Sequence, residues 1–393
     1  MESRKPQALN SKQIIFSMSL FNVYPRFKIS IESAKGVYLF DEEKKQYLDL
    51  YGGHGVISIG HSHPYYIEKL RSQLDAIGYY SNSILMPIQD ELAEKIGQQS
   101  GYPKHTLFLC NSGAEANENA IKLASFHTGK KKVIAFKRSF HGRTAAALNI
   151  TDNSKLSAPI NSGNFPVAFI DLNNKEQLIE SLKSEDVCAV IVEGIQGVGG
   201  LDAPSAEYLT FLSENCKKYG ALLILDEIQS GFGRSGKFFA HQHANVEADI
   251  ITMAKGMGNG FPVGGVLIHP KIEATPGMLG TTFGGNHLAC AASIAVLDTL
   301  KDENLMDNVD LVSDYLINEL KSISAIKQIK GKGLMLGVEF DFPIKDIRAK
   351  LLNEYHIFTG ASSNANLLRI LPPLGITIDQ VKPFISALKE ILK

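Results

Sequence analysis

From about Leu107 onward the chain alternates short, continuously apolar runs with turns rich in Gly, Ser or Asp and with stretches of helical periodicity. The runs are Thr106 to Cys110, Lys132 to Phe136, Val167 to Ile170, Cys188 to Val192, Ala221 to Leu225, Asp249 to Ala254 and Gly264 to Ile268. They are too short for helices and lack polar alternation, so they are expected to be strands covered on both faces. Amphipathic stretches over 114–128 and 206–219 each stop at a glycine, Gly129 and Gly220, placed as a C-cap. The pattern predicts an α/β protein with a mostly parallel sheet covered by helices. Beyond it, 304–323 and 378–392 read as helices, while 333–340 and 367–371 read as strands. The expected division is an N-terminal segment, 1–44, packing with a smaller C-terminal α+β domain, 285–393, around a large α/β domain, 45–284.

Composition narrows the function classes. Of 393 residues, 44% are hydrophobic and 21% charged, which is ordinary for a folded globular chain. A net charge of −1 gives no general attraction to nucleic acid or anionic lipid, and no apolar run approaches the ~18 residues of a membrane span. The polar N-terminus lacks a signal-peptide pattern. Cys110, Cys188, Cys216 and Cys290 lack metal or redox spacing and read as buried thiols in a reducing compartment, so a cytoplasmic location is expected.

Ligands of open α/β sheets bind beyond the carboxyl ends of the strands, so the residues following each run matter most. After TLFLC comes NSGAEANENAIKLA, in which Ser112 or Asn111 can cap a helix and Gly113 lets a ligand approach free N–H groups. After ALLIL comes Asp226, a carboxylate at a buried strand end that calls for a cationic partner. After DIITMA comes Lys255 among glycines, where a desolvated amine is suited to a Schiff base. Taken singly, these read equally well as an N-cap, an ion-pair residue and a loop lysine. Together and in this order they describe a pyridoxal 5'-phosphate site. Neither HSH at 61–63 nor HQH at 241–243 has a third ligand at metal spacing, so no metal is expected. GMGNG at 256–260 is followed by Pro262 and does not open a helix, which removes a dinucleotide reading.

With these motifs, and with SFHGRT, LDEIQSGFGRSG, MAKGMGNGFPVGG, TTFGGN and RILPPL, the sequence resembles the class III, fold-type I pyridoxal-phosphate aminotransferases, in particular the acetylornithine and ornithine group. The resemblance implies that Ser112, Gly113 and Ala114 form the phosphate loop, that Phe140 and His141 flank the cofactor ring, that Asp226 pairs with the ring nitrogen, and that Gln229 lies near the ring hydroxyl. Lys255 is implied as the lysine linked to the cofactor. Thr281 and Thr282 resemble residues lent to the phosphate of a neighbouring subunit, which implies a homodimer with shared sites. Arg143 and Arg369 are implied as carboxylate forks, with Tyr24 and Glu193 also contacting substrate.

One departure stands out. Relatives carry Glu-Pro-x-Gln-Gly-Glu where this chain has EGIQGVGG, so Val198 replaces a glutamate that would gate Arg369. Arg369 is then expected to stay available, which disfavours free ornithine and favours an N-acylornithine, acetyl or succinyl, exchanging its δ-amine with 2-oxoglutarate. The alternatives are an ornithine, γ-aminobutyrate or lysine ε-aminotransferase. A catalytically inert binding protein would be expected to lack Lys255 or Asp226, and both are present.

Overall fold

The computed structural model describes residues 20–161 and 163–393, which fall into two units, Met1–Ser30 and Ile31–Lys393. In the first unit, Leu20, Phe21, Val23, Tyr24 and Phe27 are exposed. The second opens with β1 (Ile31–Lys35), β2 (Tyr38–Asp41) and β3 (Gln46–Asp49), an antiparallel meander.

The central sheet follows: β4 (Thr106–Cys110), β5 (Lys132–Phe136), β6 (Val167–Ile170), β7 (Val187–Glu193), β8 (Leu222–Asp226), β9 (Ile250–Met253) and β10 (Gly264–Ile268). They lie in the order β4-β10-β9-β8-β7-β5-β6. All seven are parallel except β10, which runs antiparallel to both its neighbours. The period of two along each strand shows why the runs are apolar throughout. Ile134, Val190, Val192, Leu223, Leu225 and Ile251 join one core cluster, whereas Val133, Ala189, Ile191, Leu222, Ile224 and Ile250 join another. Both faces are therefore covered. Helices Gly113–Thr128 and Ala206–Tyr219 end as expected, with Gly129 and Gly220 left-handed at φ 68° and 64°.

The remaining strands are β11 (Gln328–Lys332), β12 (Met335–Glu339), β13 (Ile357–Phe358), β14 (Gly360–Ala361) and β15 (Leu367–Ile370). Strands β11, β12, β15 and β14 make one antiparallel sheet, while β13 adds in parallel to β3, joining residues 357–358 to 48–49. The fully buried Arg234 donates to the carbonyls of Leu334, Pro372 and Ile57, drawing three distant segments together. No helix among the described residues is long and apolar enough to cross a membrane.

Candidate active site

Parallel register places the chemistry at one edge of the sheet. Glu193 pairs with Asp226 across β7 and β8, and Asp226 pairs with Thr252 across β8 and β9, three residues before Lys255. Loops after β4 and β5 bring Gly113, Ala114, Phe140, His141 and Arg143 to the same place. A cavity of about 310 Å³ opens there, lined by these residues together with Glu193, Val198, Asp226, Gln229 and Lys255.

Buried Asp226 is held on all sides. Its Oδ2 accepts from Asn117 Nδ2 at 2.8 Å and from His141 Nδ1 at 2.7 Å, and its Oδ1 accepts from the Ile228 N–H at 3.0 Å. Asn117, absent from the sequence reading, accepts in turn from the Thr252 hydroxyl at 2.8 Å. Its only sequence signal is an amide within the buried stripe Ala116, Ala120 and Ala124 of an otherwise amphipathic helix. Lys255 Nζ makes neither a hydrogen bond nor an ion pair among the described residues, and its backbone is left-handed at φ 46°. Burial holds this amine below the usual lysine range, Asp226 and Glu193 oppose the shift, and Arg369 adds to it.

Glu193 is engaged by backbone: its oxygens accept from the N–H groups of Phe140 at 2.9 Å and Gly197 at 3.0 Å. Burial raises its pKa above the usual carboxylate range. Ser112 caps helix Gly113–Thr128 by accepting from the Glu115 N–H at 3.2 Å. Gly113 is required by packing, since a Cβ there would come within 2.8 Å of Ile228. Gln229 donates to the His54 carbonyl at 2.7 Å, leaving its Oε1 buried without a partner. Arg143 lines the cavity with no hydrogen bond or ion pair among the described residues. Arg369 is buried, and it is not wholly available: one Nη1 bond, 2.8 Å, goes to the Gly197 carbonyl, while its Nε has no partner. That carbonyl occupies a donor which the absence of a carboxylate at 198 had led us to expect free.

Tyr24, Thr281 and Thr282 complete the set of expected residues. Tyr24 belongs to the unit Met1–Ser30 and is exposed. Thr282 is exposed, and the Thr281 hydroxyl accepts from Asn111 Nδ2 at 3.2 Å and the Gly284 N–H at 3.1 Å, so neither lines this chain's own cavity.

The donor set fits pyridoxal phosphate. A helix N-terminus opened by Ser112 and Gly113 suits a phosphate, a carboxylate fixed by His141 and Asn117 suits a pyridinium nitrogen, and an unpartnered amine of lowered pKa suits an aldehyde carbon. The comparisons agree with the geometry: class-III aminotransferases match residues 22–392, and the chain belongs to that family as a pyridoxal-phosphate-dependent transaminase. Among its relatives is the acetylornithine aminotransferase of Bacillus subtilis (strain 168), 42% identical over 380 residues, covering 95% of this chain and 97% of that protein. Crystallised ornithine aminotransferase of Toxoplasma gondii ME49 superposes with a TM-score of 0.88 at 29% identity, covering 94% of this chain and 91% of the other. A second structure of the Toxoplasma gondii enzyme, described with partial occupancy of PLP at its active site, gives 0.87 at 30% identity over the same shares.

Proposed function

We infer that this transaminase moves the δ-amino group of an N-acylornithine, N-acetylornithine in the first place, to 2-oxoglutarate, or the reverse from glutamate, within arginine biosynthesis. The observation that carries the reading is Val198 on the wall of a cavity that also presents Arg143. No acidic side chain stands at 198 to hold a free α-ammonium group. The relatives named acetylornithine aminotransferase support the same substrate.

Pyridoxal phosphate, when bound, supplies the electron sink that makes the C–H bond beside the amine acidic. Ser112 and the N–H groups of Gly113 and Ala114 would hold its phosphate, Phe140 would pack on its ring, and Gln229 would meet its hydroxyl. Asp226 would keep a proton on the ring nitrogen, with His141 and Asn117 positioning Asp226. Lys255 Nζ, whose burial weakens its hold on a proton, would take up and return the substrate proton. Arg143 and Arg369 bind substrate carboxylates, and Glu193 positions the backbone at Phe140 and Gly197.

The reading includes a cytoplasmic homodimer in which Thr281 and Thr282 of one copy serve the other's site. Exposed Tyr79, Tyr80, Leu85 and Phe283 near that loop support self-association. It also includes the division into an N-terminal segment over 1–44, a large domain over 45–284 and a small one over 285–393, supported by the separate sheets. No nucleic-acid or membrane partner is invoked.

The test is a half-reaction screen with the holoenzyme. N-acetylornithine, N-succinylornithine, ornithine, γ-aminobutyrate and lysine are added separately while the visible band of the bound cofactor is followed. An N-acylornithine is expected to bleach it fastest. If ornithine, γ-aminobutyrate or lysine outpaces both acylated donors, the substrate assignment is wrong.

A further inference from the structure

Ile250 of β9 packs in one cluster with Ala116, Ala120 and Ala124 of helix Gly113–Thr128. With a period of two along the strand, Thr252 shares that apolar face. Valine has the same shape and would fill the place without a hydroxyl to desolvate, so a polar residue at this wholly buried position asks for a partner. The partner is Asn117, whose Oδ1 accepts from the Thr252 hydroxyl at 2.8 Å. Asn117 in turn uses both of its N–H bonds: Nδ2 donates to the His141 carbonyl at 2.7 Å and to Asp226 Oδ2 at 2.8 Å. Turned over, the amide would set its oxygen against a carbonyl and a carboxylate, so one orientation alone satisfies all its neighbours. The Thr252 hydroxyl donates into that orientation and pins it.

Counting acceptor sites shows what this pinning does. A carboxylate offers about four lone-pair sites, two on each oxygen. Asp226 Oδ2 is filled by Asn117 and His141, whereas Oδ1 takes only the Ile228 N–H. The open site is on Oδ1. Asn117 also belongs to the helix that begins at Gly113, so the element whose first turn suits a phosphate is the one that grips the carboxylate suited to a ring nitrogen. Thr252, paired with Asp226 across β8 and β9, closes the loop from the strand that leads to Lys255.

Resting on the assignment of Asp226 to the ring nitrogen, we propose that Thr252 is a positioning residue of the reaction: acting through Asn117, it keeps Oδ2 filled so that Oδ1 alone meets the cofactor's ring N–H, and it ties that contact to the phosphate-binding helix. Without the hydroxyl, Asn117 Oδ1 is left buried and unbonded, and its N–H groups, no longer polarised from behind, hold Asp226 less firmly. The carboxylate then has a second open site and no fixed face toward the ring. Cofactor affinity and proton removal from substrate both weaken, while the arginines assigned to substrate carboxylates are untouched.

The experiment compares Thr252→Val, Thr252→Ser, Asn117→Ala and the double variant Thr252→Val with Asn117→Ala. Cofactor affinity is read by equilibrium dialysis, and the single-turnover rate of the holoenzyme with glutamate is followed as loss of the visible band. Thr252→Val is expected to weaken cofactor binding about threefold and to slow the maximal rate about fivefold. Asn117→Ala removes a hydrogen bond to a charged group and should cost about tenfold in affinity and about thirtyfold in rate. Thr252→Ser keeps the hydroxyl and should stay within about twofold of wild type in both. Because Thr252 acts through Asn117, the double variant should match Asn117→Ala rather than multiply the two effects. The glutamate concentration giving half the maximal rate should stay within about twofold in every variant. A Thr252→Val protein that matches wild type, a serine variant as impaired as the valine one, effects that multiply in the double variant, or a half-saturating concentration that moves as much as the rate each overturns the proposal. All four outcomes leave the Asp226 assignment standing; that assignment falls separately, if Asp226→Asn keeps its rate.

Discussion

Replacing Asp226 by Asn separates the electrostatic role of the carboxylate from its structural one. The amide is the same size, and its oxygen can keep both the Asn117 and the His141 bonds, 2.8 and 2.7 Å. Its NH2 then faces the Ile228 N–H, which loses an acceptor now 3.0 Å away. An unmet buried donor costs about 1–3 kcal/mol, and removing a buried charge offsets part of that. The melting temperature of the cofactor-free protein should therefore drop by no more than about 2–4 °C. Activity behaves differently. A unit charge pair at close range is worth about 4 kcal/mol at an effective dielectric near 20, and each 1.4 kcal/mol is about tenfold in rate. The single-turnover rate with glutamate, read as loss of the visible band, should fall about a thousandfold. A rate within about fivefold of wild type would remove Asp226 from the assigned role.

Lys255→Ala should still bind cofactor, because phosphate and ring contacts do not involve the amine, while turnover drops at least about a thousandfold; equilibrium dialysis and steady-state assays separate the two. Val198→Glu puts a carboxylate on the cavity wall beside the residue whose carbonyl holds Arg369. Values of kcat/KM for glutamate and the N-acylornithines should fall about tenfold and ornithine should gain relative to them; equal changes for every donor would show that position 198 does not steer substrate. All four cysteines are buried thiols, and burial pushes Cys110 and Cys290 up to about 12 and Cys188 to about 11, with Cys216 also raised. A thiol reagent near neutral pH should find almost none in the native protein, gain little as pH is raised toward 9, and titrate four after unfolding.

Local signals in this chain were strong where one segment suffices to specify its own shape. Continuous apolar runs forecast every strand of the central sheet, and Gly129 and Gly220 forecast two helix ends, because coverage on both faces and a left-handed cap are written in consecutive residues. Lys255, Asp226 and the Ser112–Gly113 turn were legible because parallel strands deliver their carboxyl ends to one edge. Pairing between β3 and the two-residue β13 was not legible, since neither segment carries a mark of the other. Asn117 and His54 were missed for related reasons. The first is one amide on a buried helix face, and the second sits in a glycine-rich stretch that reads as an ordinary loop until Gln229 arrives from far along the chain to bond its carbonyl.

The antiparallel strand β10 sets an order of events during synthesis. Strand β4, which leads into the phosphate-cradling helix, has β10 as its neighbour in the sheet, and that strand begins only at Gly264. At about 5–20 residues per second, a ribosome leaves β4 waiting about 10–30 s after Cys110 emerges. Nascent chains shorter than this lack the edge on which Gly113 and Ala114 are aligned, so they should not capture cofactor, whatever its concentration. Once β10 inserts, ligand binds chains whose central sheet is finished and not earlier ones, and draws the population toward them by mass action. Vitamin supply would then influence the yield of native enzyme at the end of translation rather than at its start.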